Sequence, residues 1–277
     1  MKEAIVNLIK CPVCGAKGAI SENGRSFFCK GERVHCFDFS KSGYLNLSGP
    51  HGGAGDLKAA VRARSAFLNT GYYAPLSDAL NEILRRYACN SVLDAGCGEG
   101  YYTNRMGESG RLVLGVDLST AGIDHAAKCA KQSPHDVGFV VASLFEIPVA
   151  DQSFDAAISI FAPCAEDEFL RVLKLGGYLI VAAAGPNHLL GLKKALYQEA
   201  YTNAERADLP QKMTLCEKTS LTYTITVDGN EQINALFSMT PYYWRTSEQD
   251  RAKLDGLDTL TTEVDFDIYV YRKESDA

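Results

Sequence analysis

The chain has 277 residues, 46% hydrophobic and 22% charged. That composition excludes disordered and low-complexity architectures and leaves length for one or two domains with a real core. Net charge is −6 but uneven: residues 1–75 hold ten Lys/Arg against five Asp/Glu, net +5, leaving −11 on the remainder, so a generic polyanion binder is disfavoured while a basic front on an acidic body stays open. No apolar run approaches about eighteen residues, so no membrane partner is expected, and Met1-Lys2-Glu3-Ala4-Ile5 is too charged to begin a secretory signal. Nine cysteines, an odd number, suit a reducing compartment, so a cytoplasmic protein without disulfides is expected.

Residues 1–47 are short apolar pieces broken by Gly, Asn and Ser, too few to hold themselves together by burial. They carry Cys11, Cys14, Cys29, His35 and Cys36 and read as a small metal-binding domain. Residues 48–56 lack a periodic apolar face and read as a flexible linker. The larger unit, 57–277, starts with helical spacing over 57–88, interrupted near Thr70-Gly71. Short apolar runs then alternate with helical stretches: 91–95, 112–116, 137–141, 154–160 and 177–184. Late β-like runs at 221–227 and 263–271 are separated by helical pieces at 232–237 and 248–254. This pattern predicts an α/β domain with a seven-stranded, mostly parallel sheet.

Cys11-Pro12-Val13-Cys14 sets two thiols on a tight knuckle, and Cys29 with either His35 or Cys36 offers a second pair. This is the spacing of a structural zinc site, whose bonds supply folding energy that a short segment lacks. The plainer alternatives are reduced packing cysteines or a redox pair, but no thioredoxin-like βαβ pattern surrounds them.

The run from Val92 to Gly100 is an apolar strand entering a turn with Gly96, Gly98 and Gly100, followed by Tyr101-Tyr102-Thr103 at a helix start. The chain must turn sharply there with a ligand close to its backbone. A dinucleotide fingerprint needs glycine at position 101, which is tyrosine, so the pattern favours S-adenosylmethionine. Asp94 is placed to meet the amino-acid end of that cofactor. Asp117 follows at the roughly twenty-residue distance from which an acid reaches ribose hydroxyls. Ser143 is a candidate for the adenine, although a serine after a strand is ordinary turn chemistry. Asp155 reads as structural, and Cys97 and Cys164 as small packing residues.

These residues together resemble the bacterial 23S ribosomal RNA guanine-N1-methyltransferases. The likeness runs in order through the zinc knuckle with Cys-Phe-Asp38, Ser-Gly-Tyr-Leu-Asn-Leu47, Ala-Arg64, Ala-Phe-Leu68 and Gly-Tyr-Tyr73. It continues through the glycine turn to Thr103, Ala-Pro-Cys164, Gly-Pro-Asn-His188 and Met-Thr-Pro-Tyr-Tyr-Trp244. The resemblance implies a class I SAM-dependent methyltransferase, Rossmann-like, preceded by an N-terminal zinc-binding domain that recognises RNA. Its substrate would be N1 of one guanine in a 23S rRNA hairpin loop near the peptide exit tunnel. It implies one structural zinc on Cys11, Cys14, Cys29 and His35, although the five residues between Cys29 and His35 exceed the family's usual number. It further implies cofactor contacts from Tyr73, the Gly98-Glu99-Gly100 turn and His188, and a homodimer whose basic faces form an RNA cleft.

The chemistry is compatible. Guanine N1 carries a proton in the neutral base and attacks only once that proton is lost, so the enzyme needs a base or a stabiliser of the anion. N1 lies on the Watson–Crick edge, so the target must be unpaired or swung out against an aromatic wall. Phe161, Tyr242, Tyr243 and Trp244 are candidates for that wall or for other RNA contact. The run Ile160-Phe161-Ala162-Pro163-Cys164 lacks the Asn/Asp-Pro-Pro-aromatic pattern of exocyclic-amine methylation. His188 is a candidate base as well as a cofactor contact. Lys10, Lys17, Arg25, Lys30, Arg33, Arg62 and Arg64 are candidates for phosphate contact, their bland role being a solvated face. Two competing functions remain on sequence: a small-molecule methyltransferase with zinc bracing the fold, and a non-catalytic zinc-dependent RNA-binding adaptor.

Overall fold

A computed structural model describes residues 1–49, 58–131 and 133–274; all but Ser48 and Gly49 of the expected linker lies outside them. The front segment holds α1 (Glu3–Val6), an antiparallel three-stranded sheet of β1 (Gly18–Ile20), β2 (Ser26–Cys29) and β3 (Cys36–Asp38), and the two-residue β4 (Leu45–Asn46). Two helices follow, α2 (Lys58–Leu68) and α3 (Ala74–Arg86). The alternating part runs β5 (Ser91–Ala95), α4 (Tyr101–Gly107), β6 (Leu112–Asp117), α5 (Thr120–Ala130), β7 (Val137–Val141), β8 (Phe154–Ile160), α6 (Glu166–Val172) and β9 (Leu173–Ala184). The chain continues with α7 (Leu190–Leu196), β10 (Thr214–Asp228), α8 (Asn230–Ser238), α9 (Glu248–Arg251) and β11 (Thr259–Arg272).

The main sheet has the order β10-β11-β9-β8-β5-β6-β7-β4. Strands β9 to β4 are parallel, and β11 and β10 join antiparallel. It therefore has eight strands among the described residues, where seven were expected. The eighth is β4, contributed by the front segment: Leu45 and Asn46 pair with Val140 and Val141, and the Leu47 N–H donates to the Val141 carbonyl at 2.9 Å. Two residues are too few to show a period of two, so no alternation marks this strand. β10 and β11 also run further than their apolar runs, because β10 is an edge strand whose threonines and serines meet solvent.

Chain order reverses between β5 and β8: β5, β6 and β7 progress one way, and β8 and β9 are laid down on the opposite side. In such sheets a crevice opens beyond the carboxyl ends of the strands at the reversal. One face is covered by α2, α3, α4, α5, α7 and α8, with Phe67, Leu76, Phe139 and Phe237 in its core. On the other, Ile5, Val6, Ile9, Phe27 and Leu45 of the front segment pack in one cluster with Leu93, Leu114, Phe154 and Phe169. Front segment and sheet thus share a core. No helix among the described residues is long and apolar enough to cross a membrane.

Candidate active site and metal centre

The knuckle between α1 and β1 brings Cys11 and Cys14 opposite Cys29 at the end of β2 and His35 just before β3. One ligand atom from each of the four lies within 4.8 Å of every other. Cys14 and Cys29 Sγ are 3.6 Å apart, and His35 Nδ1 stands 3.6 Å from Cys11 Sγ and 3.5 Å from Cys29 Sγ. A zinc tetrahedron with ordinary bond lengths has edges of about 3.8 Å between sulfurs and about 3.6 Å between sulfur and nitrogen, so these residues fit zinc. The His35 and Gly31 N–H groups pull the Cys29 thiol down to about 6, toward the thiolate that a metal needs. Of the two ligands left open by spacing, His35 turns into the cluster, while Cys36 is exposed and outside it. The cluster fits one structural zinc. Backbone bonds tie its stem to the body: Lys10 N–H donates to Pro148 carbonyl and Ala150 N–H to Leu8 carbonyl, both at 2.9 Å.

A cleft of about 960 Å³ opens at the β5/β8 reversal, lined by Tyr73, Asp94, Gly96, Gly98, Glu99, Asp117, Ser143 and His188 among others. Gly96 has φ +82°, and a Cβ there would sit 2.4 Å from the Ala162 Cβ across the cleft, so the turn must be bare where the walls meet. Gly100, by contrast, does not line the cleft: its absent Cβ makes room for Ala126 and Phe139 under α4. Asp94, at the end of β5, is 1% exposed and accepts a 2.6 Å bond from Thr103. Burial raises its carboxyl to about 7, Thr103 opposes this, and nearby Asp117 and Glu99 add to it. Asp117 accepts from the N–H groups of Gly98 at 2.9 Å and Ser119 at 2.7 Å, stitching the turn after β5 to the start of α5. Glu99 pairs with Arg64. Ser143 accepts the Phe145 N–H in a local turn while still lining the cleft. This wall is rich in carboxylates and matches a cationic ligand. Two buried hydroxyls with no partner among the described residues, those of Tyr102 and Tyr242, also line the cleft. Polar groups orphaned in this way mark a place for a ligand. The residues therefore fit S-adenosylmethionine.

The opposite wall is aromatic. Phe161, just past β8, has φ +54°, a strained value for a bulky residue, and its ring is 48% exposed in the cleft. It stacks toward His188 and Phe266. His188 Nδ1 accepts the Asp265 N–H at 3.3 Å, which places the ring proton on Nε2, 3.4 Å from the Tyr73 hydroxyl. Burial, with a contribution from Lys193, drives the His188 pKa down to about 3. A neutral imidazole with its lone pair occupied and its other nitrogen protonated has no site to take up a proton, so the geometry disfavours the expected role of His188 as base. Asp155 proves structural, its carboxylate accepting from the N–H groups of Asn90 and Ser91 and pairing with Lys174. Burial pushes Cys164 up to about 11 and Cys97 well above its ordinary value, which keeps both as thiols.

The cationic candidates divide. Lys17, Arg25, Lys30, Arg33 and Arg62 are exposed. Lys10 is paired with Asp151 at 3.1 Å, and Arg64 is turned into the cleft on Glu99 rather than outward. Trp244 is 73% exposed and packs edge-on to Tyr243.

Residues 93–181 match the model of the "Methyltransferase domain" family. A 23S rRNA (guanine(748)-N(1))-methyltransferase of Streptomyces fradiae is 28% identical over 97% of this chain and 98% of its own length. A Bacillus subtilis (strain 168) protein, whose name gives a 23S rRNA guanine-N1 activity provisionally, is 29% identical over 96% of the chain and 98% of its own length. The chain carries a methyltransferase domain and is similar over nearly all of this sequence to proteins named for 23S rRNA guanine-N1 methylation. Among solved structures, one described under the conversion of a disulfide bond into a thioacetal group during echinomycin biosynthesis aligns at TM-score 0.50 and 15% identity. It covers 72% of this chain and 83% of that one, a likeness of fold alone.

Several residues in or behind the cleft escaped sequence reading. Asp265 is 5% exposed and accepts the Asn187 N–H to set the Gly185–His188 turn; the alternation of Glu263, Asp265 and Asp267 with apolar residues in a β-like run was the available signal. Asn203, Arg206 and Asp208 lie on the stretch between α7 and β10 and fold over the cleft. That stretch has no periodicity and gave no signal.

Proposed function

We propose that this protein transfers the methyl group of S-adenosylmethionine to N1 of a guanine in a hairpin loop of 23S rRNA. The observation that carries the proposal is the pair of unlike walls at the β5/β8 reversal, one rich in carboxylates and one aromatic, on a chain aligned end to end with enzymes named for that reaction. When bound, the cofactor supplies a methyl group on a positively charged sulfur. Asp94 and the Gly96–Glu99 part of the turn hold its amino-acid end, Asp117 the ribose, Ser143 the adenine side, and Tyr73 with His188 close the pocket. Phe161 stacks the extruded base so that N1 faces the methyl. Residues 1–47, folded around zinc, form the RNA-recognition unit. There Lys17, Arg25, Lys30 and Arg33 engage phosphates, with Arg62 and Trp244 extending the path; residues 57–277 form the catalytic unit. In this reading the protein acts in the cytoplasm and works as a homodimer, two basic faces framing one RNA.

An N1 methyl blocks the Watson–Crick edge, so reverse transcriptase halts at it. Primer extension along 23S rRNA from cells with and without this protein is expected to show one stop at a loop guanine that disappears with the gene. Identical stop patterns would overturn the proposal.

A further inference from the structure

The stretch between α7 and β10 carries one arginine whose geometry the cofactor does not explain. Arg206 lines the cleft, its side chain 12% exposed. Nε donates to Asp208 Oδ1 at 2.7 Å, and Nη2 donates to Asp208 Oδ2 at 2.9 Å and to the Ala162 carbonyl at 2.7 Å. Asp208 also accepts the Cys164 N–H at 3.2 Å. The fork thus fixes the guanidinium against the loop after β8, beside Phe161, and leaves Nη1 with no acceptor among the described residues. A largely buried, rigid guanidinium with unused N–H groups at a substrate cleft is built for an oxygen acceptor.

Resting on the methyltransferase reading above, we infer that Arg206 reads the target base: Nη1 donates to guanine O6 and stabilises the anion formed when N1 loses its proton. In the step, the N1 proton leaves to water and the N1 lone pair forms the new N–C bond. The carbon–sulfur bond breaks with its electrons returning to sulfur. Negative charge left by the proton is shared between N1 and O6, so a cation at O6 acts where charge develops. Adenine presents an amino donor at that position and is rejected.

The test compares wild type, Arg206→Gln and Arg206→Lys on 23S rRNA transcribed in vitro, from pH 6 to 10. Cofactor affinity, measured separately, reports folding and is expected unchanged. At pH 7, R206Q is expected to lose about 100-fold in rate, and R206K to recover part of it. The R206Q deficit is expected to shrink as pH rises, because hydroxide then removes the proton that Arg206 otherwise makes acidic. The groups around the guanidinium are Asp208, Cys164, Glu166 at the start of α6 and Tyr271 of β11. Asp208 is held low by Arg206, while burial raises Cys164 and Tyr271. Asp94, in the other wall, is common to all three proteins and cancels in the ratio. A deficit constant across pH would make Arg206 only a clamp between loops and overturn the inference. A wild type that leaves 23S rRNA unmethylated would instead overturn the functional proposal itself.

Discussion

The two walls of the cleft are built from opposite materials. Behind β5 and β6, Asp94, Glu99 and Asp117 gather carboxyl groups around a glycine-rich backbone turn. Beyond β8 and β9, Phe161, His188 and Tyr242 present rings, and Arg206 presents the cationic fork. Positive charge is expected to settle on the first wall and a planar base that becomes anionic on the second. Placing both at one chain reversal brings donor and acceptor together while keeping their electrostatic demands apart.

The sharpest way to break this division is to remove one wall at a time. Asp94→Ala is expected to weaken S-adenosylmethionine binding by at least about 100-fold in calorimetry, as when a buried charge partner is lost. RNA binding should be unaffected; an RNA defect of equal size would dissolve the distinction. Removing the metal from the knuckle, by Cys11→Ser, is expected to abolish zinc content and cut rRNA methylation about 100-fold, with cofactor affinity within about threefold of wild type. Phe161→Ala attacks the second wall: loss of one stacked base contact costs about 1–3 kcal/mol, so methylation should fall about tenfold to 100-fold at constant cofactor affinity.

Smaller effects sharpen the comparison. Burial holds the Asp94 carboxyl at about 7 in the folded chain, against about 3.9 in an unfolded one. The folded state therefore keeps a proton that the unfolded state has released between those values, and the stability tied to this group falls as pH rises from about 4 to 7. Asp94→Asn lacks that dependence. Its thermal midpoint is expected to exceed that of unliganded wild type by a few degrees at pH 8 and to converge with it near pH 4. Cofactor affinity of wild type should rise with pH up to about 7, since the cation favours the ionised carboxyl. Smallest of all, Lys17→Ala or Arg33→Ala is expected to reduce the slope of log affinity against log salt for RNA by about 0.7 each; Lys10→Ala should change it less, because Asp151 already holds that amine.

What could be read in advance follows from how local each signal is. β5, β7 and β8 begin and end where their apolar runs do, because buried parallel strands are apolar on both faces. The zinc ligands and Asp94 belong to short motifs whose residue types are dictated by chemistry. β4 was invisible because its pairing with β7 joins residues almost a hundred positions apart, and two residues carry no pattern. Arg64, expected on RNA by charge, lies in the cleft because Glu99 captures it, a contact no spacing rule anticipates. Arg206 and Asp208 were missed for a related reason: their stretch has no regular structure, and only the folded chain lays it across the loop after β8.

One measurement tests the central claim most directly. The purified, zinc-loaded protein is incubated with methyl-labelled S-adenosylmethionine and 23S rRNA from cells lacking the enzyme, and the digested RNA is resolved into nucleosides. The account predicts label in 1-methylguanosine alone, close to one methyl per RNA molecule. Label in any other nucleoside, or none in the RNA, would contradict it.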